Sequence, residues 1–482
     1  MEPALGGIAR LRLWYVLKTL LVGYGYGWQA VANQDACDLC IVPWDCPPVS
    51  ITGQRPMVML PVLESTLIDP ERFQPQRILR SGGVVVFTTG ERVTDDEPLW
   101  VHGPGDLRTL RFDLLAMAFW LLTGSHETHS PRGNTIRVER DNILVREGLL
   151  MTPILEEYSE VLFGTFKDQA PPWPRWKNKA RYAVTLTHDV DFPSFIRWIA
   201  AAKFLLVQRD PLKMWRDLFA KAPDYWLFND VIAEEGDRGL RSAFYFASVP
   251  GKWANLAKGT LDTFYDIADQ KFLSLFEQLR SQGFEIGLHA NCQAHTSEQQ
   301  FSRELQTLIQ YRGGGSDCGN RHHCWLLDPA NPNETLAMHA RIGLVYDTSL
   351  MFHYFNGLRR GTVLPFHPFD ASRNEAIQTL QLPPVCMDDY LFTYRILNNI
   401  HDPLTHLGDW LAIGQRFGGL LMVDYHSHFF HPVRFRRERA SYLYFLNRLQ
   451  EDDMVWVATP MEIAKHWLER EKGIAKESFD EY

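Results

Sequence analysis

The sequence predicts an α/β protein in two parts, the larger of which is a barrel or a doubly wound sheet of parallel strands. In the second half of the chain, short apolar runs alternate with helix-like segments, which implies parallel pairing with right-handed crossovers. The apolar runs occupy residues 182–186, 243–246, 285–288, 344–346, 420–423 and 454–457. A helix-like segment at 262–282 stops before Gly283, a typical C-terminal cap.

A proline-rich segment separates the two parts. Pro171, Pro172 and Pro174 stand within four positions, and such a run continues neither a helix nor a central strand. We therefore expect a mixed α/β accessory domain at 1–167 and a Pro/Trp-rich linker at 168–178. The main domain follows at 179–472, with a flexible tail at 473–482.

The N-terminal part carries no recognisable site. It contains strand-like runs at 56–61 and 83–88 and a helix-like run at 112–122. Its histidines (His102, His126 and His129) and the acidic segment 95–97 lack the spacing of metal-binding loops. The sequence leaves the role of this domain open.

The bulk composition is that of a well-packed globular protein. Of 482 residues, 45% are apolar and 22% are charged, which excludes wholesale disorder. The net charge of −9 and the lack of a long basic block argue against a nucleic-acid partner.

Cysteine usage and the N-terminal segment favour a cytoplasmic protein. Seven cysteines are an odd set, which favours a reducing compartment over a disulfide framework. Cys37 and Cys40 have the spacing of a zinc-binding pair, but no second pair completes a site. Segment 14–31 contains Lys18 and other polar residues, so we expect an amphipathic helix rather than a membrane span or a signal peptide.

Two predicted strands end in polar residues suited to hydrolytic chemistry. Segment 182–186 leads into Thr187-His188-Asp189-Val190-Asp191, and segment 284–288 leads into His289. In parallel α/β folds, the carboxyl ends of the strands meet at one edge, where sites are built. Carboxylates on one strand end and a histidine on another are parts of a divalent-metal hydrolase site.

Five segments resemble, in order, the motifs of the polysaccharide deacetylase-like superfamily, also called carbohydrate esterase family four. They are residues 187–191, 289–295, 319–323, 346–349 and 422–428, and the resemblance covers roughly 180–470. It implies an incomplete (β/α) barrel in a bacterial protein, preceded here by the smaller mixed α/β domain. It also implies metal-dependent N-deacetylation of an amino sugar in polysaccharide metabolism, hence a carbohydrate substrate.

The resemblance implies roles for four catalytic candidates. Asp189 matches the catalytic base, and Arg321 matches the residue that holds this base ionised. His426 or His428 matches the general acid that protonates the leaving nitrogen.

Metal and substrate ligands follow from the same resemblance. The implied metal ligands are Asp191, His289 and His295, and the implied cofactor is a divalent cation, with zinc as the expected identity. Asn291 and Asp347 fall in motifs that are expected to contact the substrate.

The sequence departs from the family pattern at two positions. Val190 stands where a metal-binding aspartate is expected; Asp191 is the nearest substitute, since alternate strand residues face the same side. Gln293 stands where the second histidine is expected. His295 would reach a shared metal only if the chain turned at residues 291–293.

Several alternatives remain open. His322 or His323 could replace His295 as a ligand from another loop. A barrel that has lost its metal would be a non-catalytic carbohydrate-binding protein, and an allantoinase-like hydrolase of a small cyclic amide would use similar motifs. Asp388 and Asp389 are interpreted as turn residues.

Overall fold

The computed structural model describes residues 6–29, 38–43, 57–75, 77–88, 98–103, 107–127, 136–166, 171–194, 211–212, 215, 225–251, 262–476 and 478. The predictions made for Cys37, His129 and the acidic segment 95–97 lie outside these ranges. Linker positions 168–170 and tail positions 477 and 479–482 also lie outside them.

The strands of the described residues are β1 (Leu39–Pro43), β2 (Met57–Val62), β3 (Arg77–Ser81), β4 (Val84–Thr88), β5 (Trp100–His102), β6 (Leu107–Leu110), β7 (Tyr182–Val190), β8 (Ala243–Phe246), β9 (Glu285–Ala290), β10 (Gly319–His322), β11 (Tyr346–Asp347), β12 (Phe369–Asp370), β13 (Glu375–Ala376), β14 (Leu380–Gln381), β15 (Pro384–Met387), β16 (Leu420–Asp424) and β17 (Val455–Val457).

The α-helices with defined bounds are α1 (Gly7–Tyr24), α2 (Glu64–Ile68), α3 (Leu114–Thr123), α4 (Ile136–Arg140), α5 (Ile143–Arg146), α6 (Ile154–Phe163), α7 (Phe228–Gly236), α8 (Gln270–Ser281), α9 (Glu298–Arg312), α10 (Pro332–Ile342), α11 (Asp388–Phe392), α12 (Pro403–Phe417), α13 (Arg436–Gln450) and α14 (Pro460–Lys476).

The largest sheet is a parallel barrel in which β7 pairs with three strands, β8, β16 and β17. Pairing runs in the order β11, β10, β9, β8, β7 and β16, and every pair is parallel. The chain from β14 to β15 pairs with β11 at its start and with β16 at its end, so one stretch joins the two edges. Among the described residues this circuit has fewer strand positions than the eight of a complete (β/α) barrel. The prediction of an incomplete (β/α) barrel is therefore confirmed.

Alternation along β7 determines which side chains enter the barrel. All nine of its residues are buried. Val190 packs in the apolar core, and His188 Nε2 lies 2.8 Å from Glu235 Oε1 on helix α7. Because successive strand residues point to opposite faces, Thr187 and Asp189 point to the inner face.

The N-terminal part forms a small mixed sheet and a separate hairpin. The sheet has the order β1-β2-β6-β5, in which only the β5–β6 pair is antiparallel, and β3 and β4 form the hairpin. Its apolar core continues into the second part of the chain through Leu327, Leu336, Phe366 and Phe369. The Glu127 carboxylate also lies 2.7 Å from Arg359 Nη2. One apolar core therefore spans both parts, in addition to the barrel's own core.

The ends of the barrel domain are packed against it. Trp176, in the proline-rich segment, is only 2% exposed, and its Nε1 donates to Gly418 O at 2.8 Å. At the other end, α14 continues to Lys476, and Ile474 is fully buried. The start of the expected flexible tail is thus corrected, because residues 473–476 belong to a packed helix.

Two barrel elements differ from the sequence prediction. Residues 319–322, expected in a loop, form β10, because pairing with both β9 and β11 satisfies a polar segment whose four residues are all buried. The helix predicted at 262–282 begins only at Gln270. The Asp266 side chain accepts the Ala268 N–H and forms a turn, which delays the start of the helix.

The N-terminal helix α1 has the length of the predicted segment 14–31, but it begins earlier, at Gly7. It ends at Tyr24, because Gly25 takes a left-handed conformation with φ of 104°. Within the described ranges, none of the helices has both the length and the hydropathy that crossing a bilayer requires.

Candidate active site

Asp191, which directly follows β7, lies among three imidazoles. Its Oδ1 is 3.3 Å from His289 Nε2, and its Oδ2 is 3.6 Å from His323 Nε2 and 3.4 Å from His426 Nε2. Burial opposes its charge, but contacts with His323, His289 and His426 hold the pKa of Asp191 well below its usual value. The carboxylate is therefore ionised and faces several nitrogen donors.

The tautomer of His289 follows from its second ring nitrogen. Nδ1 lies 3.0 Å from the backbone O of Arg321, and a carbonyl oxygen only accepts, so Nδ1 carries the proton. In the neutral ring, Nε2 then keeps a free lone pair. Although buried, neither this nitrogen nor Asp191 Oδ1 forms a hydrogen bond with a described residue. A cation would satisfy both atoms.

His323 reaches the same point from the end of β10. Its Nδ1 faces Asp262 Oδ1 at 3.4 Å and Cys292 Sγ at 3.5 Å, while its Nε2 faces Asp191. A carboxylate behind one ring nitrogen is the arrangement that orients metal-binding histidines. Asp191, His289 and His323 each offer one ligand atom within 4.8 Å of the others.

These three residues fit a divalent cation. Bonds of about 2.0–2.2 Å to nitrogen and oxygen place neighbouring ligand atoms of a tetrahedral site ~3.3–3.5 Å apart. His289 Nε2 lies 3.3 Å from Asp191 Oδ1 and His323 Nε2 lies 3.6 Å from Asp191 Oδ2, so each imidazole faces its own oxygen of the carboxylate at about this spacing. Two imidazoles and a carboxylate are also a familiar zinc-binding set.

The structure does not bring the predicted ligand His295 into this group. The chain turns after Asn291, whose O accepts the Ala294 N–H at 2.9 Å, but the turn places the His295 ring 6.4 Å from that of His322. His295 Nδ1 donates to Cys292 O at 2.7 Å. His323 stands in the group where the sequence suggested His295.

The buried guanidinium of Arg321 joins two carboxylates. Its Nη1 donates to Asp189 Oδ1 at 2.9 Å and to Asp424 Oδ1 at 2.5 Å. It also lies over the rings of Tyr245 and Trp325, 4.6 and 4.8 Å from their centroids. Burial opposes its charge, but Asp189 and Asp424 raise the pKa of Arg321 above its usual value. Asp189 is thereby fixed in one orientation.

His426 is held from behind by a carboxylate. Its Nδ1 lies 2.8 Å from Asp388 Oδ1, and its Nε2 faces Asp191. Burial opposes the imidazolium, but Asp388 and Asp191 raise the pKa of His426 well above its usual value. The interpretation of Asp388 as a turn residue is therefore corrected.

The second candidate acid, His428, does not contact Asp191. Its ring packs against Phe192, Phe429 and Phe435, with centroid distances of 5.3, 4.6 and 5.6 Å. The His426 ring is 5.5 Å away. Of the two histidines, His426 is the one that the structure brings to the group.

Asp347 is likewise placed apart from the group. It is fully buried, and it accepts hydrogen bonds from Asn320 Nδ2 at 2.8 Å and from the Ser349 N–H at 2.8 Å. The barrel's own hydrogen bonds occupy this carboxylate, and the contact of Asp347 with substrate stays a prediction.

Asn291 lines a cleft of about 330 Å³. Asp262 lines the same cleft and contacts His323. Most of the cleft's lining side chains are polar; they include Asn291, Gln293, Ser297, Gln300 and Arg303. The Oδ1 of Asn291 is buried without a hydrogen-bond partner among the described residues.

The sequence reasoning did not single out three carboxylates. Asp424 ends β16 and pairs in register with Thr187. Its position at a strand end, the signal that identified Asp189 as a candidate, could therefore have identified Asp424 too. Asp388 follows β15, a strand that the apolar pattern did not reveal. No pattern in the sequence marks Asp262.

No family model matches this chain, and neither does any curated protein. Among solved structures, it is similar to a candidate polysaccharide deacetylase from Mycobacterium smegmatis, with 16% identity and a TM-score of 0.41 over 62% of this chain and 95% of that one. A candidate polysaccharide deacetylase from Pseudomonas aeruginosa PAO1 has 15% identity and a TM-score of 0.42 over 64% of this chain and 97% of that one. The Puue allantoinase has 13% identity and a TM-score of 0.41 over 62% of this chain and 95% of that one. These are likenesses in fold.

Proposed function

We propose that this chain is a metal-dependent hydrolase of carbon–nitrogen bonds other than peptide bonds, and that it removes the N-acetyl group of an amino sugar. The observation that carries the proposal is the convergence of Asp191, His289 and His323 within 4.8 Å. Asp189 and His426, a candidate base and a candidate acid, both contact this group.

The three converging residues would hold the cation. His289 and His323 each direct Nε2 at Asp191, and each has its Nδ1 engaged from behind. A bound divalent cation, with zinc as the expected identity, supplies Lewis acidity that favours attack of water on an amide carbonyl.

Asp189 is the proposed base. Arg321 occupies its Oδ1, whereas its Oδ2 faces the group 3.9 Å from His289 Nε2. The fixed orientation aims one free carboxylate oxygen at the place where the attacking water must lose a proton. Because Arg321 is fully buried, this orientation does not depend on solvent-exposed side chains.

His426 is the proposed acid. The nitrogen of an amide leaves as an amine only if it gains a proton, and His426 Nε2 is the nitrogen that faces the group. Asp388 keeps the ring oriented and favours its protonated form. One water adds across the C–N bond in total, which yields acetate and a free amine.

The cleft lies on the Asp262 side of His323 and is not lined by Asp191, His289 or His426, and we infer that it binds the sugar chain next to the reacting group. Its polar lining includes amide side chains that can both donate to and accept from hydroxyl groups, and its volume of about 330 Å³ lies near the lower end for small-molecule sites. Arg303 adds a guanidinium, and Asp262 and Glu304 add carboxylates. Such a lining suits a hydroxyl-rich ligand better than an apolar one.

The test is acetate release from N-acetylated amino-sugar oligomers by the full chain loaded with zinc. We expect equimolar acetate and free amine, with activity removed by chelation and by the Asp189→Asn substitution. Ring-opened product from a cyclic ureide, without acetate release, would favour the allantoinase-like alternative. A folded chain that binds no divalent cation would favour the non-catalytic carbohydrate-binding protein.

A further inference from the structure

A second set of donor atoms lies behind His323, on the side away from Asp191. Cys292 Sγ is 3.5 Å from His323 Nδ1, and Cys292, His323 and Cys324 each place one donor atom within 4.8 Å of the others. Asp262 Oδ1 is 3.4 Å from the same ring nitrogen. Two thiols and an imidazole therefore converge, and a carboxylate contacts the same ring nitrogen.

Parallel strand pairing brings the two cysteines together. Cys292 stands two residues after the end of β9, and Cys324 stands two residues after the end of β10, which pairs with β9. Both cysteines are free thiols; Cys292 is buried and Cys324 is half-buried. The same edge of the barrel thus carries both sulfurs, although 31 residues separate them in sequence.

The backbone at Cys324 is held in an unfavourable conformation. Cys324 and Trp325 both have positive φ, 58° and 56°, a region that costs side-chain-bearing residues energy. Trp325 is buried against the guanidinium of Arg321. Backbone strain of this kind persists only where the surroundings enforce it, and it is concentrated at functional sites.

The donor spacing matches a tetrahedral thiolate site. With bonds of about 2.3 Å to sulfur and 2.0–2.2 Å to nitrogen or oxygen, neighbouring donors stand ~3.5 Å apart for a sulfur–nitrogen pair and ~3.3–3.5 Å for a nitrogen–oxygen pair. The measured distances are 3.5 Å for Cys292–His323 and 3.4 Å for Asp262–His323.

We propose that Cys292, Cys324, His323 Nδ1 and Asp262 form a second metal site, which takes a thiophilic divalent cation of the zinc class. Soft thiolates select such cations over magnesium or calcium. On binding, the two thiols and Nδ1 release their protons to solvent, and the carboxylate completes the set. His323 would then offer Nδ1 to this cation and Nε2 to the one proposed at Asp191.

This site shares His323 and Asp262 with the proposed hydrolase, but its two sulfurs belong to it alone, so the two proposals can fail separately. The second cation would fix the His323 ring from behind, as a carboxylate does in simpler sites. Its sulfur donors are absent from the Asp191 set, which contains only nitrogen and oxygen. A probe that reports sulfur coordination therefore distinguishes the two sites.

Cobalt(II) titration of the reduced, metal-free full chain provides that probe. Thiols are counted first, and a sulfur-to-cobalt charge-transfer band in the near ultraviolet then reports thiolate binding. We expect this band in the wild type, a loss of at least half of it in Cys324→Ser, and its absence in the Cys292→Ser/Cys324→Ser double variant. Cys40→Ser, a half-buried cysteine outside the group, should keep it in full.

The outcomes separate the proposals. An Asp191→Asn variant that keeps the charge-transfer band but releases no acetate supports the second site on its own. A wild type with free thiols that binds cobalt without this band overturns the second site and leaves the hydrolase proposal standing. A band that survives unchanged in the folded double variant, as judged by circular dichroism, also overturns it.

Discussion

Asp388 contacts His426 through both carboxylate oxygens: its Oδ1 lies 2.8 Å from Nδ1 of the ring, and its Oδ2 accepts the His426 backbone N–H at 2.6 Å. Both residues are buried, so water does little to weaken the pair. The ring is thereby fixed in orientation and biased toward the protonated form.

The Asp388→Asn variant should shift the alkaline limb of the activity profile to lower pH. The carboxylate raises the pKa of His426, so its removal lowers that pKa, and a general acid is active only below its own pKa. We also expect the maximal rate to fall roughly tenfold to a hundredfold. The measurement is kcat/KM against pH.

Asp389→Asn is the matched control for this prediction. It should shift the alkaline limb less, since the Asp389 carboxylate accepts a hydrogen bond from Thr393 instead. Equal shifts in the two variants would contradict the role assigned to Asp388.

Metal content should distinguish His323 from His295. His323→Ala removes a proposed ligand, and because loss of an outer partner alone costs about 10–100-fold in affinity, we expect a larger loss here. His295→Ala should retain the cation, since that ring faces Cys292 O and His322. Elemental analysis after dialysis against a weak chelator checks this. Retention by His323→Ala together with loss by His295→Ala would restore the ligand set implied by the sequence.

Arg321→Met should destabilise the barrel and abolish activity. The substitution leaves the carboxylates of Asp189 and Asp424 buried without the guanidinium that both contact. Breaking a buried ion pair in this way lowers the free energy of unfolding by about 3–5 kcal/mol. Denaturant unfolding measures the change. An added Asp424→Asn substitution should recover part of the stability, because one uncompensated charge is removed, without recovering activity. Full recovery of activity would contradict the orienting role of Arg321.

Asp347 and Asn291 should separate stability from substrate binding. Asp347→Asn disturbs fully buried hydrogen bonds with Asn320 and Ser349, so we expect a loss of about 1–3 kcal/mol in unfolding free energy with KM unchanged. Asn291→Ala, in the cleft lining, should raise KM. Thermal unfolding and Michaelis–Menten analysis of both variants provide the comparison. A raised KM in Asp347→Asn would instead indicate that Asp347 contacts the substrate.

The order of strands and helices was accessible from the sequence, because burial on both faces of a parallel strand demands continuous apolar runs. Strand β8 was predicted with its observed bounds, and β16 within one residue. Strand β10 was not predicted, since it has no apolar run: its residues are Gly319, Asn320, Arg321 and His322. They are buried because β10 pairs with β9 and β11. Local pattern cannot report a partner that is distant along the chain.

The sequence by itself determined that Asp189, Asp191 and His289 stand at strand ends, because that depends on the local period of each strand. Only the tertiary structure decided that His323 rather than His295 meets Asp191, and that Asp388 and Asp424 stand behind His426 and Arg321. These contacts join residues that are 38 to 132 positions apart. Their geometry depends on strand order, register and the turns after β9 and β10, which the assembled barrel fixes.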